Sequence, residues 1–248
     1  VWGRGRMGAW RLQVRARGAP PTSASLLDQL PWQPHWRSLD GGCGLGAVTR
    51  ELARRGAGAL GLDNCLDHSE GPADFCLGDA RRLDVLDERF QVVYARYLLS
   101  HLNDPQQVVQ GMVDRLSPGG YLVLEDIDFP GHTCDPLCAA FQAYVELYTE
   151  LLRRRGGNAC IGRSLWRLCR QAGLEVVYSA ASLKLIREGP TRRVAELTLA
   201  HIARGLVEEG LVDRARLAQL LLELRDFRRS ESQMCLAPTY QVLARSSP

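Results

Sequence analysis

The sequence predicts an α/β protein: a doubly wound, mostly parallel sheet of seven strands, with helical insertions in its second half. Three observations carry this. Strand-like and helix-like stretches alternate through the first 130 residues. "RFQVVYARYLL" holds a continuous apolar run, as a parallel strand buried on both faces requires. "LDGGCGLGAVT", Leu39 to Thr49, places glycines where a strand ends and a helix begins, and open α/β sheets take ligands at that first turn.

The elements follow in order. "TSASLLDQL" is a short helix that Thr22 or Ser23 can cap. "HWRSLDGGCG" is the first strand and "AVTRELARRGA" a helix stopped by Gly56 or Gly58. "ALGLD" and "ADFCLGD" are strands two and three, and "RFQVVYARYLL" contains the fourth. "DPQQVVQGMVDRLSPGG" is a helix opened by Asp104-Pro105 and closed by Pro118-Gly119-Gly120. "YLVLEDIDF" is strand five. Beyond it, "CDPLCAAFQAYVELYTELLRRRGG" and "GRSLWRLCRQAG" are helical, as is the pair "TRRVAELTLAHIARGLVEEG" and "DRARLAQLLLELRDFRR". "LEVVYSA" and "APTYQVLARS" complete the sheet side by side. The expected divisions are an N-terminal arm and helix over 1–34 and a ligand-binding core over 35–130. A helical cap insertion follows over 131–172, and the end of the sheet with its inserted helical pair over 173–248.

The totals exclude several classes. An apolar fraction of 46% supplies an ordinary globular core, and no run approaches the ~18 apolar residues of a membrane span. Eight cysteines in 248 residues are too sparse for a disulfide framework, so a reducing cytoplasm is expected. His132, Cys134 and Cys138 in "HTCDPLC" lack the C-x2-C pair of a zinc site, and no metal is expected. The arm has five arginines before its first acid, Asp28, which suggests a transit peptide or a nucleic-acid arm. An arm packed on the domain, with Trp2 or Trp10 over the site, is the expectation preferred here. Lys184 is the only lysine, a bias that reads as codon composition.

Glycine lets backbone approach a ligand closely, and a helix N-terminus favours a negative group there. Asp63 ends strand two, where its carboxylate can accept ribose hydroxyls. A nicotinamide dinucleotide would suit Asp63 equally, but its fingerprint is G-x-G-x-x-G. Here the order is Asp40, Gly42, Gly44, Gly46. That D-x-G-x-G-x-G form resembles motif I of class I S-adenosylmethionine-dependent methyltransferases, whose fold is Rossmann-like. "GDA" after strand three, "FQVVYARYLLSHLNDP" and "LSPGGYLVLED" resemble later motifs of that superfamily, in the same order. "DIDFPGHTCDP…FQAYVELYTELLRRRGGNACIG" is similar to bacterial small-molecule methyltransferase-domain proteins, so the resemblance covers about residues 35 to 245.

The resemblance implies S-adenosyl-L-methionine as cofactor. Gly42, Gly44 and Gly46 would face its methionyl part, Asp40 its amino group, Asp63 the ribose, Asp79 with Ala80 the adenine, and Arg96 the amino-acid end. One departure stands out. Asp63 and Asp79 are only sixteen positions apart, room for barely one turn of the helix that normally follows the ribose acid.

Methyl transfer needs alignment above all, and a base only where the nucleophile is protonated. His101 in "LLSHL" is the first base candidate and His132 the second. Period two sends Asp126 and Asp128 to one strand face and Glu125 to the other, making the first two candidates for substrate binding. Tyr144 and Tyr148, spaced with Phe141 as a helical stripe, read as core or as a substrate wall. The expected activity is methyl transfer to oxygen of an apolar small molecule in natural-product metabolism. A non-methylating reaction such as a cyclisation, or RNA methylation, are the alternatives. Neither a membrane nor a nucleic-acid partner is expected, and a homodimer stays open.

Overall fold

The computed structural model describes residues 22–66 and 73–248. The arginine-rich arm with Trp2 and Trp10, and most of the shortened link after Asp63, lie outside the described residues. The described elements are α1 (Thr22–Leu27), β1 (Arg37–Gly41), α2 (Ala47–Arg55), β2 (Gly58–Asp63), β3 (Asp74–Leu77), β4 (Phe90–Arg96), α3 (Pro105–Asp114) and β5 (Leu116–Ile127). They continue with β6 (Thr133–Asp135), α4 (Ala139–Arg154), α5 (Leu165–Gln171), β7 (Glu175–Ile186), α6 (Val194–Glu208), α7 (Arg214–Arg229) and β8 (Gln233–Arg245).

The sheet runs β3-β2-β1-β4-β5-β8-β6, with β7 paired to the other side of β8. The first five strands are parallel, and β8 is antiparallel to β5, β6 and β7. The expected doubly wound, mostly parallel sheet is therefore present. It has eight strands where seven were expected. The extra one, β6, is three residues long, too short to show a period of two in the sequence. The strand begun in "LEVVYSA" also runs on to Ile186 along β8.

β4 is the centre. Phe90, Val92, Val93, Tyr94 and Ala95 are all buried, which explains the unbroken apolar run. One sheet face packs Leu39, Leu62, Val93, Leu122 and Leu124 against Val108, Val109 and Met112 of α3 and Leu165 and Leu168 of α5. The other packs Val92, Tyr94, Val123 and Leu243 against Leu26 and Leu27 of α1 and Leu52 of α2. Asp104 opens α3 by accepting from Gln107 N–H at 3.0 Å, the cap its sequence position suggests.

A second core lies above the sheet, where α4, α6 and α7 bury Phe141, Tyr144, Tyr148, Leu199, Leu220 and Phe227 together. Within residues 131–172, α4 belongs to this upper core while α5 packs on the sheet. Arg192 stitches the upper layer: buried, it donates to the Arg228 and Phe227 carbonyls at 3.0 and 3.1 Å, the carbonyls a helix C-terminus leaves unpaired.

Candidate active site

The glycine turn is built from β1 into α2. Gly42, Gly44 and Gly46 have φ of 73°, 55° and 69°, the left-handed region that glycine enters without a Cβ penalty. Gly42 and Cys43 donate their N–H groups to the Leu62 carbonyl at 2.7 and 3.1 Å, which pins the turn over β2. Gly44 N–H donates to Asp63 Oδ2 at 2.8 Å, and Cys65 N–H to Oδ1 at 3.0 Å. Each oxygen keeps a lone pair for a further donor. Gly46 is constrained from the other side: a Cβ there would lie 2.4 Å from Phe75 Cζ. The same ring lies 2.7 Å from a Cβ at Gly61. Phe75 thus wedges the turn against the sheet, a role its strand-three position did not signal.

Asp40, at the end of β1, is 2% exposed and accepts from Thr49 Oγ1 at 2.7 Å. Burial pushes its pKa up to about 6, against the pull of the Thr49 bond and of Arg96. Beside it, Tyr94 Oη donates to Glu125, whose other oxygen accepts from Gln241 Nε2 at 2.9 Å. Arg96 is half-buried over this network. It donates to Ser23 Oγ at 3.1 Å, stands 5.5 Å over the Tyr97 ring, and among the described residues has no carboxylate within ion-pair distance. Tyr97 has φ 54°, rare for a residue with a ring, and its Oη lies 2.8 Å from Thr239 Oγ1. The strand therefore turns sharply into the next segment at the sheet's carboxyl edge.

That segment, Leu99–His101, is a single 3-10 turn after β4, with His101 its last residue. Asp126 holds it. Its Oδ2 accepts from Ser100 N–H at 3.1 Å and its Oδ1 from Ile127 N–H at 2.8 Å. Asp128 is gripped by Arg163, Nε and Nη2 each 2.7 Å from Oδ2. Asp126 lies at the end of β5 and Asp128 just beyond it, and both are buried and engaged with the chain itself.

His132, Tyr144 and Tyr148 belong to the layer above the sheet. All three are buried in the upper core. The Tyr148 ring stacks on Phe129 at 3.8 Å, and the His132 ring stands 4.5 Å from Phe129 with Nδ1 2.8 Å from its carbonyl. A helical stripe cannot distinguish the inside of a cap from its wall, and here it is the inside. Asp79 is paired to Arg81, whose Nε lies 3.0 and 2.9 Å from its two oxygens and holds its pKa low. Ala80 is buried next to it. The described residues of the link after Asp63, 64–66 and 73, carry no helix.

The structure thus brings Asp40, the glycine turn, Asp63 and Arg96 to the carboxyl ends of β1, β2 and β4, with His101 five residues beyond Arg96 in the chain. A ribose diol fits the remaining acceptors on Asp63, and an ammonium fits Asp40, whose pKa is raised by burial. A carboxylate fits the Arg96 guanidinium, which Ser23 Oγ holds through Nη1. Sequence reasoning missed Phe75, Ser100 and the glycines of "GGNACIG", whose contacts join segments far apart in the chain.

A family model described as "Methyltransferase domain" matches residues 8–179. Methyltransferase GfsG of Streptomyces halstedii is 33% identical over 137 residues, covering 50% of this chain and 49% of that protein. The biotin biosynthesis bifunctional protein BioHC of Cellvibrio japonicus is 29% identical over 231 residues, covering 88% of this chain and 44% of its own. The chain spans about half the length of the curated relatives it matches. Among solved structures, an S-adenosylmethionine-dependent methyltransferase from Mesorhizobium loti superposes with a TM-score of 0.53 at 17% identity, covering 92% of this chain and 99% of that one.

Proposed function

The chain belongs to the methyltransferase-domain family, and from that premise we propose that it takes S-adenosylmethionine as cofactor and methylates an oxygen of an apolar small molecule. What supports this reading is that His101 closes the 3-10 turn following β4, the strand paired with β1, whose end carries Asp40 and leads into the glycine turn. The cofactor supplies a methyl group on a sulfonium, open to in-line displacement. The protein's part is to orient and to take up a proton. Asp40 holds the ammonium, Asp63 the ribose hydroxyls and Arg96 the carboxylate. His101 accepts the proton of the acceptor hydroxyl as oxygen attacks. The apolar cap of α4, α6 and α7 keeps water from the reacting atoms. Acceptors drawn from natural-product metabolism are part of the proposal, in a cytoplasmic enzyme.

Calorimetry with S-adenosylhomocysteine is the first test, followed by transfer of labelled methyl from the cofactor to a panel of phenols and aliphatic alcohols. His101→Gln is expected to lower turnover of an accepted alcohol by about 10²-fold or more while leaving binding of the homocysteine nucleoside intact. Unchanged turnover removes His101 as base. Arg96 has its own assay. Arg96→Gln is expected to weaken S-adenosylhomocysteine by roughly tenfold, the scale of a charge-assisted hydrogen bond. It leaves methylthioadenosine, which lacks the amino-acid end, unaffected. An equal loss for both ligands would show that Arg96 acts through the fold.

A further inference from the structure

The turn that carries His101 is held by contacts no property of methyl transfer demands. Asp126 is buried at the end of β5, and its carboxylate collects donors from two segments: Ile127 N–H from its own strand, and Ser100 N–H from the turn. The Ser100 hydroxyl and the Leu99 N–H add to these and favour the ionised form. From the opposite side, the Ser100 carbonyl accepts from Asn158 N–H at 2.9 Å. Asn158 lies in the loop "GGNACIG", threaded so tightly that a Cβ at Gly157 would lie 2.5 Å from the Ser100 carbonyl oxygen. One at Gly162 would lie 2.7 Å from the Asp126 carbonyl oxygen. Three segments distant in sequence therefore converge on one residue, Ser100, immediately before His101.

A carboxylate buried at this depth is costly to keep charged. A merely structural anchor could be an asparagine or a backbone carbonyl. An ionised group with several donors from one short turn fixes that turn more rigidly than a neutral acceptor would. It also places a negative charge against Ser100, the residue that precedes the base.

We propose that Asp126 is the positioning residue of this site: its carboxylate clamps the Leu99–His101 turn to β5 and so sets the place and the basicity of His101. The proposal rests on the reading of His101 as the base. Burial lifts the Asp126 pKa to about 6, so the clamp is weakened when acid protonates it. Among the described residues, Tyr240 stands opposite it on β8, Arg163 beside Gly162 is already paired to Asp128, and His101 follows Ser100 on the turn.

The test is spectroscopic and needs no acceptor. The full chain, labelled at histidine Cε1 and saturated with S-adenosylhomocysteine, is compared with Asp126→Asn, and His101→Gln assigns the resonance. In Asp126→Asn, Ser100 amide exchange is expected to speed up at least tenfold. The His101 resonance moves and its titration midpoint falls by about half a unit or more, because the neighbouring negative charge is gone. The wild-type protein supplies a second measurement should that variant not fold: the His101 resonance shows an additional inflection at the pH where the Asp126 carboxyl carbon titrates. An unmoved His101 midpoint in the variant, or a wild-type resonance blind to Asp126, overturns the proposal. Failure of the base reading shows itself elsewhere, as unchanged turnover in His101→Gln with the spectroscopic link intact.

Discussion

Gly46→Ala is expected to destabilise the fold by roughly 3 kcal/mol and to abolish measurable S-adenosylhomocysteine binding. Two costs combine. A side chain at φ 69° costs about 1–2 kcal/mol, and the new methyl would stand 2.4 Å from the Phe75 ring, an overpacking cost of about 1–3 kcal/mol. The ring has little room to retreat, because the same edge, Cδ1 and Cε1, also lies against Gly61. Chemical denaturation of Gly46→Ala, Phe75→Leu and the double variant separates the two. The double variant is expected to recover the overpacking share and leave the backbone share. A loss in Gly46→Ala below about 1 kcal/mol, with no coupling to Phe75, would contradict the wedge.

Asp40→Asn is expected to do the opposite to the apo protein and to harm the ligand. Folding raises the Asp40 pKa from its ordinary value near 3.8 to about 6, so the folded state prefers the carboxylic acid. That preference contributes stability below the unfolded value, and it is lost as pH climbs through about 6. At pH 8 the buried carboxylate costs about 3 kcal/mol by the size of the shift. Asparagine keeps an acceptor for Thr49 and carries no charge. Asp40→Asn is therefore expected to be more stable than wild type by about 1–3 kcal/mol at pH 8, and equal to it near pH 4. S-adenosylhomocysteine affinity is expected to fall by about tenfold or more at pH 8, the loss of an ammonium's counter-charge. Paired melting curves at the two pH values decide the first half, and equal stability at pH 8 refutes it.

The sheet was legible because its signals are local. A central parallel strand must be apolar throughout, and the run from Phe90 to Ala95 is. A turn through three left-handed residues must use glycine, and Gly42, Gly44 and Gly46 stand there. The ligand side of the site was legible for the same reason, since Asp40 and Asp63 terminate strands. What failed involved choices between two faces of one element. Tyr144 and Tyr148 share a helical stripe with Phe141, and spacing does not say which layer that stripe meets. Asp126 and Asp128 stand two positions apart, and their partners, Ser100 and Arg163, arrive from distant segments. The three-residue β6 gives no period to detect.

β8 is the last strand in sequence, yet it lies inside the sheet, hydrogen-bonded to β5, β6 and β7. During synthesis β5 emerges more than a hundred residues ahead of it, and at cellular translation rates of about 5–20 residues per second that interval is on the order of ten seconds. Through all of it, one edge of β5 and one edge of β7 have no neighbour to close them. Unpaired edges recruit other chains, so the nascent protein on a polysome is a client for chaperones until Gln233–Arg245 has left the ribosome.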